Sequence, residues 1–178
     1  LGNLRRPAEG VVRGRLNPLA ALWLRLTALC GAADLAYALI AAMLMGGSPN
    51  ATLLRIAAGP FGEAALGWGL GGAVLGAAIH FALMAVMTAV GLALARETIL
   101  GEVTPWKAGT LYGLALYLVM YGLVLPWRFG VPFPNPDRLR LAIGLFPHVA
   151  FVGLPIFILA RRAFGPPAQA NSADFRSS

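Results

Sequence analysis

The chain has 178 residues, 58% of them hydrophobic and 12% charged, with a mean hydropathy of +0.73 and a formal net charge of +7. So little polar side chain cannot cover a water-facing surface of this size, which excludes an ordinary soluble domain. The apolar residues gather into four long blocks separated by short polar or proline-rich breaks, the pattern of an all-α polytopic membrane protein.

The first twenty residues form a basic segment with Arg5, Arg6, Arg13 and Arg15. Leu1 in place of Met points to a processed chain, an alternative start codon or an incomplete chain. The first span covers about 22–45 and stops at Gly46, Gly47, Ser48 and Pro49. It is longer than a signal-peptide core and is interrupted by Asp34, so it is read as retained. Cys30, the single cysteine, lies inside this span and is read as a small packing residue.

The segment after it, SPNATLLRIAAGPFGE, is long enough for a short surface helix capped by Asn50 and broken at Gly59 and Pro60. Asn50, Ala51 and Thr52 match the glycosylation pattern, a triplet common by chance. The second span covers about 67–95 and ends at Arg96 and Glu97. The third, about 106–127, carries Trp106 and Lys107 at one end and is closed by Pro126. RFGVPFPNPDR follows, with three prolines that favour a stiff extended turn. The fourth span, about 139–160, ends at Arg161 and Arg162, and the tail 163–178 reads as disordered. At about 1.5 Å per residue each block crosses the roughly 30 Å hydrocarbon layer, where an unsolvated backbone must be helical. The domain 21–162 is therefore a four-transmembrane-helix bundle.

Arg5, Arg6, Arg13, Arg15, Arg25, Arg96, Lys107, Arg161, Arg162 and Arg176 fall on one side of this topology, and Arg55, Arg128, Arg138 and Arg140 on the other. By the positive-inside rule both termini are expected in the cytoplasm. The net charge then needs only topology and anionic lipid head groups to explain it, and no nucleic acid.

Counting about 1.5 Å per residue from the basic flanks places Asp34, His80, Tyr117 and His148 about 14–24 Å deep, one per helix. Gly31 precedes Asp34, Gly72 and Gly76 precede His80 at four-residue steps, Gly109 and Gly113 precede Tyr117 likewise, and Gly144 precedes His148. Such small-residue faces let helix backbones approach closely and carry the polar groups inward. A charged Asp at mid-span costs about 2.5–3.5 kcal/mol, so Asp34 is expected to be protonated, hydrogen-bonded or paired, with His80, His148, Tyr37 and Tyr117 as its available partners.

Three uses of this polar centre follow. Hydrogen bonds that hold the helices in register suit a non-catalytic accessory or scaffold subunit packed against other membrane subunits or copies of itself. A proton or substrate path suits a small oligomeric transporter or proton-coupled channel. His80 and His148 as ligands of haem or a chlorophyll-type pigment come third, since no HExxH or CxxCH motif is present and close-packed glycines leave little room. No other cofactor and no metal is expected. No span contains a serine, and no GxSxG motif or carboxylate pair at plausible depth occurs, so no enzyme is expected.

GAADLAYA in the first span, LLRIAAGPFGEAA after it, a central His in the second, LYGLALYLVMYGLVLP in the third and HVAFVGLPI in the fourth together resemble small bacterial inner-membrane proteins of the YagU-like kind. The resemblance runs from Leu22 to Arg162. It implies a four-helix protein of the bacterial inner membrane and carries no established activity.

Overall fold

The structure, a computed structural model, describes residues 17–97 and 102–165. The basic leader up to Leu16 and the tail from residue 166 lie outside the described residues, and with them Arg5, Arg6, Arg13, Arg15, Arg176 and the expected disorder of the tail. Among the described residues there are helices and no strands. Helix α1 is Pro18–Leu44, α2 is Pro49–Phe61 and, after a short 3-10 turn at Glu63–Gly67, α3 is Gly69–Glu97. Helix α4 is Pro105–Phe129 and α5 is Arg138–Phe164. All but α2 are long and apolar enough to cross a membrane.

Three helices start on a polar residue followed by proline: Asn17–Pro18, Ser48–Pro49 and Thr104–Pro105. Proline suits the first helical position because its missing N–H would have no partner there. The Asn17 side chain accepts from the Leu19 N–H at 3.0 Å and Ser48 Oγ from the Ala51 N–H at 3.1 Å. At α5, Asp137 accepts from the Leu139 N–H at 2.9 Å.

Three local expectations are corrected. Ser48 caps α2, and Asn50 stands inside its first turn. Helix α2 continues through Gly59 and Pro60, because a proline next to the last residue removes only the bond to the Ile56 carbonyl; it stops at Gly62, whose φ of +80° suits glycine. Pro126 does not close α4, which runs on to Phe129 and ends at left-handed Gly130.

Helix α5 packs on α4 along its length and on α1; from Leu154 onward it also packs on α3. Helix α3 packs on α1 and carries α2 along its first turns. Glycine sets the closest approaches. A Cβ on Gly109 would stand 2.8 Å from the Gly153 carbonyl oxygen, and one on Gly113 2.6 Å from the His148 carbonyl oxygen. One on Gly76 would run into the Leu53 carbonyl, and one on Gly72 would stand 2.7 Å from Leu54. Gly31 lies against Phe81, Gly144 against Tyr121 and Gly91 against Ile156 and Tyr112.

The main core is one-sided. Leu26, Cys30, Met84, Leu92, Ala108, Tyr112, Val152, Ile156, Phe157 and Ala160 form it. Every one of them lies in the half of its helix nearer the end that carries Arg96, Lys107, Arg161 and Arg162. Two side-chain bonds reinforce that half: Trp23 Nε1–H donates to the Ala85 carbonyl at 2.8 Å, and the Tyr112 hydroxyl to the Met87 carbonyl at 2.6 Å. Toward the other end a smaller group, Ala57, Ala58 and Ala65, joins α2 to α3 with Ile79. There Arg128 reaches from α4 to the end of α2 and donates to the Gly59 and Ala58 carbonyls at 2.6 and 2.8 Å. A cation on helix-terminal carbonyls satisfies orphan acceptors and complements the negative end of the helix dipole.

Gly113→Ala should lower thermal stability in detergent by about 1–3 kcal/mol, the usual cost of overpacking. Gly71→Ala, whose Cβ would meet nothing within 4 Å, should be neutral or stabilising by up to about 1 kcal/mol. Equal effects from both would refute backbone contact at Gly113. Arg128→Met removes charge-assisted bonds worth roughly 1.5–3 kcal/mol each, so amide exchange over 54–61 should accelerate at least tenfold. Unchanged exchange there would mean that α2 is held by α3 alone.

Candidate functional site

Where the core stops, at about mid-depth, polar side chains come together from all four spans. Helix α1 supplies Asp34 and Tyr37, three residues apart and so on one helical face. Helix α3 supplies His80, α4 supplies Tyr117 and Tyr121, and α5 supplies His148.

His80 Nε2 lies 3.9 Å from Asp34 Oδ2 and 3.0 Å from the Gly31 carbonyl oxygen. A carbonyl has no proton to give, so Nε2 carries the hydrogen and donates it to Gly31. In the same way His148 Nδ1 donates to the Gly144 carbonyl one turn back, at 2.8 Å. In its neutral form each imidazole keeps one lone-pair nitrogen, Nδ1 of His80 and Nε2 of His148. Asp34 lies within electrostatic reach of both imidazoles, and Tyr121 within reach of Asp34, Tyr117 and Tyr37. Yet among the described residues the Asp34 carboxylate accepts no hydrogen bond.

Aromatic rings surround these groups. Tyr117 and Tyr121 stack with centroids 4.8 Å apart, and both turn toward His148 edge-to-face, at 6.1 and 5.8 Å. Tyr37 packs on Phe146 and Phe151 at 5.6 and 5.7 Å, and Phe81 meets His80 edge-on at 5.5 Å. From the turn after α4, Phe133 folds back to within 6.1 Å of the Tyr117 ring. Tyr117 is 5% exposed, and its hydroxyl has no hydrogen-bond partner among the described residues. The side chains of Asp34 and His80 remain 16% and 13% exposed, so the site is not sealed by protein.

Both helices that supply its far wall widen there. Leu118–Val124 in α4 and His148–Gly153 in α5 are π-helical, a form that in proteins recurs at functional positions. Each has a chemical cause nearby. Pro126 cannot donate to the Gly122 carbonyl, nor Pro155 to the Phe151 carbonyl, and both orphaned acceptors lie within the widened turns.

Of the residues singled out from sequence, Asp34 and His80 therefore lie side by side, and Tyr117 and His148 share a ring contact. The glycines Gly31, Gly72, Gly76, Gly109, Gly113 and Gly144 all lie at close helix approaches. Among the described residues no three His, Cys, Asp or Glu side chains are placed to hold a metal ion. Sequence reasoning passed over Phe133, Phe146 and Phe151, and at the packing faces Gly91 and Gly153. Gly91, eleven residues or about three turns beyond His80, had a usable signal.

Compared with known proteins, the chain matches no protein-family model, no curated protein and no solved structure.

Removing a buried hydroxyl that has no partner should cost nothing, because no bond is lost. Tyr117→Phe should therefore keep or raise thermal stability in detergent. A loss above about 1 kcal/mol would reveal a bond to that hydroxyl.

Proposed function

We propose that this multi-pass membrane protein is a small transporter whose working group is Asp34. The observation that carries this reading is a mid-span carboxylate faced by groups from three other helices and hydrogen-bonded by none of them. A side chain that merely pins helices in register acts through a bond actually made, worth about 0.6–2 kcal/mol. Here both imidazoles give their N–H to backbone carbonyls, and Asp34 has the His80 ring beside it at 3.9 Å without a hydrogen bond from it. A charged carboxylate at that depth costs about 2.5–3.5 kcal/mol, which uptake of a proton or another cation relieves. Binding and release at Asp34 thus alternate between a neutral and a charged membrane interior, the cycle a proton-linked carrier needs.

Access runs from the end opposite Arg96, Lys107, Arg161 and Arg162, where the main core does not close the bundle. With those residues cytoplasmic and both termini inside, this opening faces the exterior of a bacterial inner membrane. Four helices leave little room for a pore, so the working unit is an oligomer. Membership of the YagU-like group is likewise a proposal, resting on the quoted motifs alone.

The test is proton flux into liposomes that contain the purified full chain and a trapped pH-sensitive dye. Wild-type protein should collapse an imposed pH gradient at least ten times faster than Asp34→Asn. Wild-type liposomes as tight as protein-free ones would end the transport reading.

A second reading, a non-catalytic subunit of a larger membrane assembly, is favoured by how little of each helix the bundle itself covers. Only 17–33% of the most apolar window of each span is buried. It calls for a partner that co-purifies in fixed ratio in mild detergent, and for His80→Gln and His148→Gln variants that keep full function. A lone chain on a sizing column, with no second band, would remove it.

A further inference from the structure

The chemistry around Asp34 also restricts what can bind there. The imidazole N–H groups of His80 and His148 are spent on the Gly31 and Gly144 carbonyls. With Asp34 ionised and the imidazoles uncharged, the site has left two carboxylate oxygens, His80 Nδ1 and His148 Nε2 as acceptors, and tyrosine hydroxyls that can accept as well as donate. The Asp34 charge repels an anion. A metal ion would take several ligands converging on one point, and no such group of three occurs among the described residues. A ligand that carries positive charge and several N–H donors matches this inventory. The rings of Tyr37, Tyr121, Phe146 and Phe151 add faces that attract a cation and pack against a hydrocarbon body. A second, independent observation points the same way. The Tyr117 hydroxyl, on a residue 5% exposed, has no partner and lies against Tyr121 in the same wall.

We infer that the cluster of Asp34, His80, His148 and Tyr121 binds a protonated primary amine with an apolar body. The ammonium group bonds to the Asp34 carboxylate and to a free imidazole nitrogen, and the apolar part lies among the rings. Charge-assisted bonds of this type are about twice as strong as neutral ones, so Asp34 dominates affinity. This assignment shares with the proposed function the reading of Asp34 as the working group, but it does not need transport.

Isothermal titration of the full chain in lipid nanodiscs, with protein-free nanodiscs subtracted, tests it using 2-phenylethylammonium as the probe. Saturable binding is expected, at least tenfold weaker for Asp34→Asn. The trimethylated ammonium analogue, which has charge but no N–H, and 2-phenylethanol, which lacks the charge, should each bind at least tenfold more weakly. Equal binding by Asp34→Asn, or of 2-phenylethanol, overturns the proposal; so does heat that matches protein-free discs. If Asp34→Asn does not fold, the three ligands on the wild-type chain decide: binding of the trimethylated analogue or of 2-phenylethanol as tight as that of 2-phenylethylammonium overturns the proposal. Amine binding without proton flux would keep this inference and remove the transport reading. Flux without amine binding would do the reverse.

Discussion

Lipid offers a backbone no hydrogen bonds and drives helices together only weakly, so this bundle depends on how closely its backbones can touch. Gly109, Gly113 and Gly153 provide that contact between α4 and α5, and Gly76 provides it between α3 and the Leu53 carbonyl of α2. Dispersion over such close surfaces stands in for the hydrophobic effect that would fold a soluble bundle. The same contact decides where polar groups go. A helix that presents its narrow face to a neighbour presents the side chains one turn along that face as well, and so Gly76 brings His80 inward, Gly113 brings Tyr117, and Gly144 brings His148.

Once inward, these side chains have no water to complete their bonds, and the chain resolves this unevenly. His80 and His148 turn to backbone carbonyls, Trp23 and Tyr112 do the same in the packed half, and Arg128 takes the last carbonyls of α2. Backbone acceptors thus take these donors, while among the described residues the hydroxyls of Thr27, Thr88 and Tyr117 have no partner and the Asp34 carboxylate accepts no hydrogen bond. What sets the Asp34 region apart is an ionisable group at mid-depth with no hydrogen bond, and that is the physical basis for treating it as a site rather than as a fastening.

Much of the architecture was legible because the bilayer imposes one coarse rule, a long apolar run for every crossing. The four helices stand out by hydropathy alone, and so do the four-residue steps Gly72–Gly76–His80 and Gly109–Gly113–Tyr117. Helix ends were less legible. The blocks begin at about 22 and end at about 160, whereas the helices start at Pro18, where Asn17 and the proline set the first turn, and reach Phe164, past Arg161 and Arg162, whose charge hydropathy discounts. The pairs Asn17–Pro18 and Ser48–Pro49 carried that information as local chemistry. The widened turns at Leu118–Val124 and His148–Gly153 could be read only from what Pro126 and Pro155 fail to donate. The return of Phe133 onto Tyr117 is tertiary, with no local signal at all. At the site the residue types were legible, but which nitrogen bonds which carbonyl was not, since that depends on helix rotations of a few tens of degrees.

The confinement of the main core to one half of the bundle has a mechanical meaning. Ile156, Phe157, Leu92 and Tyr112 clamp the spans together near one surface, and beyond mid-depth α3 and the first half of α5 meet through α1 rather than directly. The molecule is built like a clothes-peg, with a tight spring at one side and two jaws at the other. Spreading the jaws about the clamped end would have to pull Arg128 from the Gly59 and Ala58 carbonyls, so that side chain is the catch that holds them shut, and Asp34 lies between catch and spring.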